Sequence, residues 1–527
     1  MATIIKEKKA VVLRLKNPSR VTEVIPTAKL VTHKGQTFVA IPHRPDETRV
    51  LQQLGFSLPT PMRIYYEWPK AAGRFDPYET QLETACFATM NPRCFINNSM
   101  GTGKTVSSLW AYDYLRKTKQ VNKLLIVCPL STMERTWGDE IFMTFPHLNA
   151  NVLYGTAAKR RKLLADKNAD VYIINIDGLA TIQKELAERS DIDIVIVDEV
   201  AMFRNGQTER WKRMNTIANK QTPRRVWGLT GMPTPNAPTD AWAQCKLVVP
   251  NSRDVPKYFG AARDALMVQK SAFRWEPKAT ANDTVLQWMQ PSIRYSLDDV
   301  TELPEMVMLE RKAKMSDKQQ ELYNKMLSKL KAEHEGGEIL AVNEAIKASK
   351  LVQIAAGVAY TREGEDIVLT APDRMQVLKE TIEESDGKVI VFVPLTGTLQ
   401  YVADELRKDY DVGVVQGSTK KSERDEIFGA FQHHENPRVL VANPGTMSHG
   451  LTLTRANTII WYVPIYSLDT YGQANARILR IGQKSKTRIV NISASPIEDR
   501  IYRRLQGKEN LQNLLLDMLK KQELVTN

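Results

Sequence analysis

The hydrophobic rhythm changes along the chain. Up to about residue 70 the apolar runs are short, as in Val11-Val12-Leu13-Arg14-Leu15. Two apolar alternations, Lys29 to Thr32 and Thr37 to Ile41, flank His33-Lys34-Gly35-Gln36, the pattern of two strands joined by a turn. Six prolines fall from Pro18 to Pro61, which disfavours long helices. A small β-rich accessory domain is predicted for residues 1–70.

From about 75 to 245 the runs become nearly continuous. Leu124-Leu125-Ile126-Val127-Cys128, Val171-Tyr172-Ile173-Ile174 and Ile192-Asp193-Ile194-Val195-Ile196-Val197 are short and rich in β-branched residues. Such runs suit strands covered on both faces in a parallel sheet, and helical stretches separate them. The texture returns in Lys388-Val389-Ile390-Val391-Phe392-Val393, Arg438-Val439-Leu440-Val441 and Thr458-Ile459-Ile460-Trp461. Between the two regions, about 310 to 356 is rich in Lys, Glu, Leu and Ala and reads as helical, broken at Gly336-Gly337. The predicted class is α/β, with two parallel-sheet units separated by a short helical insertion.

Composition narrows the function classes. No apolar run approaches the roughly 18 residues of a membrane span. The N-terminal Met1-Ala-Thr-Ile-Ile-Lys-Glu-Lys-Lys is too short an apolar stretch for a secretory signal. Cys86, Cys94, Cys128 and Cys245 form no CxxC pair and no disulfide framework. A cytoplasmic, reduced setting is expected. The net charge of +13 asks for a polyanion, although many basic proteins bind no nucleic acid.

The most informative segment is Asn97-Asn98-Ser99-Met100-Gly101-Thr102-Gly103-Lys104-Thr105, between the apolar Cys94-Phe95-Ile96 and a helical stretch from Val106 to Leu115. A triphosphate needs this arrangement. Glycines let backbone N–H groups close around phosphate, and the helix N-terminus adds partial positive charge. Lys104 would reach the β- and γ-phosphates and Thr105 would ligate Mg²⁺. The strict pattern places Gly where this chain has Asn98, and a Gly-containing turn before a helix is the plainer alternative. Asp198-Glu199, at the end of the Ile192 run, would bring Asp198 to the metal and Glu199 to the attacking water. Acidic residues also close strand ends as turn formers. In Gln473-Ala474-Asn475-Ala476-Arg477-Ile478-Leu479-Arg480-Ile481-Gly482-Gln483, Arg477 and Arg480 share one face if the segment is helical. They could stabilise a transferring phosphoryl group or form a solvated basic face.

With these residues in place, the chain from about 74 to 510 resembles the Swi/Snf-type (sucrose-nonfermenting) DNA translocases of helicase superfamily 2. Met100 to Thr105 resembles motif I, and Asp198-Glu199-Val200-Ala201 resembles motif II. Gln81 matches the adenine-reading glutamine. Val127-Cys128-Pro129-Leu130-Ser131 with Trp137 is similar to motif Ia, and Leu229-Thr230-Gly231-Met232-Pro233-Thr234 to motif III. Further on, Val391-Phe392-Val393 resembles motif IV, His449-Gly450-Leu451-Thr452-Leu453-Thr454 resembles motif V, and Gln473 to Gln483 motif VI. Three places depart from the pattern: Ala201 replaces the His that closes motif II, Met447-Ser448 stand where motif V has glycines, and Tyr466-Ser467-Leu468 replace Trp-Asn-Pro.

The resemblance implies RecA-like P-loop lobes at 71–300 and 301–495 and a C-terminal helix at 496–527. ATP and Mg²⁺ are the implied cofactors. Nucleotide contacts would come from Gln81, Met100, Gly101, Thr102, Gly103, Lys104, Thr105, Gly450 and Gln473. Thr105 and Asp198 would hold the metal, and Lys104, Glu199, Arg477 and Arg480 would act in hydrolysis. By motif position, Ser131, Thr132, Thr230, Thr396 and Thr446 are candidate nucleic-acid contacts, each also readable as a turn or cap. The implied activity is ATP-driven translocation on duplex or branched DNA by a monomer, in the nucleoid or, in a eukaryote, the nucleus. Replication, recombination or transcription proteins are the implied protein partners, and DNA repair or recombination the implied setting. A strand-separating DNA or RNA helicase and a slow, nucleotide-gated clamp are the alternatives.

Overall fold

The continuous apolar runs lie in two wholly parallel sheets. The computed structural model describes residues 2–72, 76–219, 224–271, 274–296, 299, 306–335, 341–360, 366–447, 453–479, 483 and 485–507. The chain divides into two compact units, Met1–Val300 and Thr301–Asn527.

In the first unit, seven strands run in the order Ser292–Ile293, Arg93–Ile96, Arg225–Leu229, Ile192–Asp198, Lys123–Cys128, Val171–Asn175 and Ala150–Val152. Every neighbouring pair is parallel. Their continuous hydrophobicity has a direct cause, because alternate side chains enter two different cores. Leu125 and Val127 pack with Val195, Val197 and Tyr172 on one side. Leu124, Ile126 and Cys128 pack with Ile194, Ile196 and Trp227 on the other.

The N-terminal residues form a separate antiparallel sheet, ordered Ala2–Ile5, Ala10–Leu13, Gln36–Pro42 and Lys29–His33. The hairpin around Lys34-Gly35 forms, with both residues at positive φ. Three short helices, Ser19–Val24, Pro45–Gln53 and Pro61–Tyr65, punctuate the segment. The sheet's own core uses Val11, Leu13, Val39, Ile41, Leu51 and Leu58. Met62 and Tyr66 already belong to the core of the large sheet. Arg49 Nη1 donates to the Met90 carbonyl at 3.4 Å, and the Tyr66 hydroxyl donates to the buried Asp113 at 2.6 Å.

The second unit carries a six-stranded parallel sheet, ordered Met306–Lys312, Thr487–Ser493, Ala456–Trp461, Lys388–Phe392, Val439–Ala442 and Val412–Val415. Here the structure corrects the start of the stretch read as helical from about 310. Met306–Lys312 is an edge strand, paired along its whole length with Thr487–Ser493. Its Leu, Glu, Arg and Lys favour helix locally, and the long-range ladder overrides that preference. The helices of this stretch are Asp317–Glu335 and Ala341–Ala355, and Gly336-Gly337 lie outside the described residues. At the C-terminus the described helix is Pro496–Leu505, and 508–527 lie outside the described residues. Glu498 anchors that helix to Arg374 at 2.6 Å, both side chains fully buried. Ser495 Oγ and the Ala494 N–H donate to the other Glu498 oxygen. Among the described residues no helix is long and apolar enough to cross a membrane.

Candidate nucleotide site

The register of the first sheet builds the site. Leu229 is paired with Ile96 on one side and Asp198 on the other. The loop after Ile96, Thr230-Gly231 and Asp198-Glu199 therefore emerge side by side at the carboxyl ends of three adjacent strands, where open α/β sheets bind their ligands.

The loop from Asn97 to Gly103 turns into the helix Lys104–Lys117. Gly101 and Gly103 have φ of 81° and 87°, which L side chains rarely adopt. A Cβ on Gly103 would also lie 2.3 Å from Gln81 Nε2. Gln81 Nε2 donates to the Thr102 carbonyl at 3.0 Å, and its Oε1 accepts from the Tyr78 N–H at 3.1 Å. Thr102 Oγ1 donates to the Ser99 carbonyl. A Cβ on Gly231 would lie 3.2 Å from Met100 Cγ, so the loop and the Thr230 turn run close together. Lys104 Nζ donates to the carbonyls of Asn98 and Ser99 at 2.8 and 3.1 Å, so the ammonium is held over the loop. Thr105 follows, half-buried, in the first helical turn.

Asn98, the departure from the strict Gly pattern, is a buried crosslink. Its Nδ2 donates to Thr84 Oγ1 at 2.8 Å, and its Oδ1 accepts from the Tyr295 N–H at 3.0 Å. It ties the loop to the Glu79–Met90 helix and to the segment after Ser292–Ile293. No spacing rule pointed to this role.

Asp198 is held from two sides. Its Oδ2 accepts from the Trp137 indole N–H at 2.9 Å and its Oδ1 from the Glu199 N–H at 3.1 Å. Trp137 is fully buried and sits in a π-helical turn, Met133–Gly138, a geometry that recurs at functional sites. Desolvation pushes the Asp198 carboxyl above its ordinary range, while the Trp137 N–H and the nearby Lys104 charge pull it down. Glu199 has φ 53° and ψ 53°, a left-handed conformation that costs about 1–3 kcal/mol for a residue with a side chain. Ala201, in the place of the motif II histidine, is buried.

The residues fit a magnesium ion. The described residues contain no cluster of three or more His, Cys, Asp or Glu that could cage a metal. A site offering Thr105, one desolvated carboxylate and a phosphate cradle matches the way Mg²⁺ is held by few protein oxygens together with its nucleotide.

The other candidates separate by burial. Ser131 is half-buried and Thr396 is exposed at the start of the helix Thr396–Leu406. Thr132 and Thr230 are buried. Thr132 gives both its N–H and its hydroxyl to the Pro129 carbonyl. The Thr230 N–H bonds to Ile96, and its hydroxyl accepts from Met232. Thr446 closes a turn on Asn443 in the same manner as Thr132. In this conformation these three are turn formers.

In the second unit, Gln473 is buried and donates to Asp469 at 2.9 Å. The helix Leu468–Asn475 ends before Arg477, so Arg477 itself is not part of a helix. Arg477 follows in a turn and is buried, which removes the solvated-face alternative for this residue. Arg480 and Gly450 lie outside the described residues.

Two parallel-sheet RecA-like lobes, the first with a glycine loop, lysine and acidic pair at one sheet edge, define a helicase-type ATPase core. Residues 78–365 match the SNF2-related domain and residues 373–482 the helicase conserved C-terminal domain; the chain belongs to the SNF2 family of ATPases. It is 26% identical over 454 residues to the nuclear protein STH1/NPS1 of Saccharomyces cerevisiae, covering 80% of this chain and 33% of that protein. It is also 26% identical over 443 residues to putative protein p41 of Acyrthosiphon pisum secondary endosymbiont phage 1, covering 80% of this chain and 94% of that one. The chain thus spans a third of the yeast relative and nearly all of the phage relative. Among solved structures, the Sulfolobus solfataricus SWI2/SNF2 ATPase core in complex with dsDNA is similar at a TM-score of 0.40 and 18% identity, covering 85% of this chain and 94% of that one.

Proposed function

We propose that the chain is an ATP-dependent DNA translocase that couples hydrolysis to movement on duplex or branched DNA and so remodels DNA or protein–DNA structures. The observation that carries this reading is the strand register that sets the Lys104 loop, Thr230-Gly231 and Asp198-Glu199 side by side in a SNF2-family core. The net charge of +13 supports a polyanionic track.

In this reading the backbone amides of residues 100–105 and the Lys104 ammonium bind the phosphates, with Gln81 beside the loop toward the adenine. Thr105 and Asp198 hold Mg²⁺, which when bound neutralises charge on the phosphate oxygens. Trp137 fixes the rotamer of Asp198. Glu199 orients the attacking water and accepts its proton. By the family resemblance Arg477 and Arg480 are assigned to hydrolysis, where guanidinium groups can stabilise phosphoryl charge, and Gly450 and Gln473 to nucleotide contact. Ser131 and Thr396 make direct backbone contacts to nucleic acid, while Thr132, Thr230 and Thr446 hold the turns that present such contacts.

The test is ATP turnover measured with blunt duplex, single strand, fork and RNA, together with displacement of a triplex-forming strand. Duplex stimulation with triplex displacement is the expected result. Stimulation by RNA alone would sink the proposal. Unwinding of a plain duplex would replace it with a strand-separating helicase, and polynucleotide-independent turnover with a clamp.

A further inference from the structure

The N-terminal sheet is covered on one face only. Val11, Leu13, Val39 and Ile41 point toward Val21, Ile25, Leu51 and Leu58. Side chains alternate along a strand, so the opposite face carries Val12, Phe38 and Val31, and on the edge strand Lys29 and His33. None of these belongs to a core cluster among the described residues. Val31 keeps 45% of its surface, Lys29 and His33 are exposed, and Phe38 is half-buried. Phe38 pairs with Val31. Extending the Leu13–Val39 register by one residue sets the exposed Arg14 on the other side of Phe38.

An aromatic ring thus lies in the middle of an open pleat, with Arg14 on one flank and Lys29 and His33 about 10 Å away across two strand spacings. Among the described residues neither Arg14 nor Lys29 has an acidic partner, and residues 24–45 contain no Asp or Glu at all. A face with charges of one sign and a single stacking ring is a poor core for a protein interface. It suits a polyanion whose flat groups are free to stack. Bases inside a duplex present no such face.

We propose that this open face binds an unpaired nucleic-acid strand, stacking a base on Phe38 and holding phosphates with Arg14 and Lys29. The helix Pro45–Gln53, whose Leu51 packs on the sheet, is bonded to the large lobe through Arg49–Met90, and Tyr66 just beyond it reaches Asp113 on the helix that begins with Lys104. A strand bound here would lie on the same compact unit as the nucleotide loop.

The full chain would be photocrosslinked to 5-iodouracil-substituted oligo-dT and, in a parallel arm, oligo-U, with adducts mapped by mass spectrometry. Adducts on residues 29–42 are expected, and the two arms identify DNA or RNA as the preferred source. Phe38→Leu, which keeps apolar bulk, should weaken binding to a single-strand-tailed duplex about tenfold, and Phe38→Tyr should restore it. Arg14→Glu with Lys29→Glu should weaken tail binding and flatten its salt dependence. Blunt-duplex affinity should stay unchanged in every variant. Adducts confined to residues 78–507, or equal tail affinity for Phe38→Leu and the parent chain, would overturn the proposal and leave the face to a protein. Sheet adducts without duplex-stimulated hydrolysis would sink the translocase reading while sustaining this one.

Discussion

The carboxyl edges of the two parallel sheets carry opposite chemistry. In the first unit, the residues leaving Ile96, Asp198 and Leu229 are polar and crosslinked through Asn98, Gln81 and Trp137. In the second, two neighbouring central strands, Lys388–Phe392 and Ala456–Trp461, end on aromatic rings. Phe392, Trp461 and Tyr471 lie ring on ring at 4.8 and 4.7 Å, and the Trp461 indole N–H donates to Asn475 at 2.9 Å, two residues before Arg477. One edge is a preorganised polar site; the other is an apolar lock on the helix that precedes an arginine. Shared architecture leaves the chemistry of the edge free, because β-branched strands determine the sheet while the residues just past each strand determine what it can bind.

Mutations can break this contrast. The largest effect is expected from Glu199→Gln, which should lower kcat by roughly 10²–10⁴-fold while leaving nucleotide affinity intact. Steady-state kinetics with fluorescent-nucleotide titration would check this, and retained turnover would remove Glu199 from the mechanism. Trp137→Phe keeps the ring but deletes the donor to Asp198. It should raise the Mg²⁺ concentration needed for nucleotide binding by roughly 10–100-fold, read from Mn²⁺ EPR or nucleotide fluorescence. An unchanged metal requirement would reduce Trp137 to core packing.

Trp461→Phe tests the other edge. Loss of its bond to Asn475, about 1 kcal/mol, should lower kcat roughly fivefold without changing nucleotide affinity in the first unit. An equal loss of affinity would mean that the two edges do not divide their work in this way. Asn98→Gly restores the strict loop pattern but deletes two buried hydrogen bonds. It should cost about 1–3 kcal/mol of stability, seen as a lower melting temperature with hydrolysis retained. A more stable variant would contradict the crosslinking role.

Much of this was legible in the sequence. The strands around Leu124, Val171, Ile192, Val389, Val439 and Ile459 follow from continuous β-branched runs, which only a doubly covered sheet accommodates. The loop at Gly101 and Gly103 follows from positive φ, a demand that acts on one residue at a time. Met306–Lys312 was not legible, because its pairing with Thr487–Ser493 spans some 180 residues and its composition favours helix. Nor were the end of the Leu468–Asn475 helix before Arg477 or the burial of Thr132 and Thr230, which depend on surrounding packing.

By itself the sequence determined the α/β class, the strands with continuous β-branched runs and the glycine loop ahead of Lys104, since these rest on local periodicity and backbone sterics. Only the tertiary structure decided which strands are neighbours. That placed Asp198 beside the Lys104 loop, brought the Trp137 N–H onto its carboxylate, made Asn98 a crosslink and left one face of the N-terminal sheet uncovered. Contacts between residues far apart in the chain come from packing and register, and no local pattern encodes them.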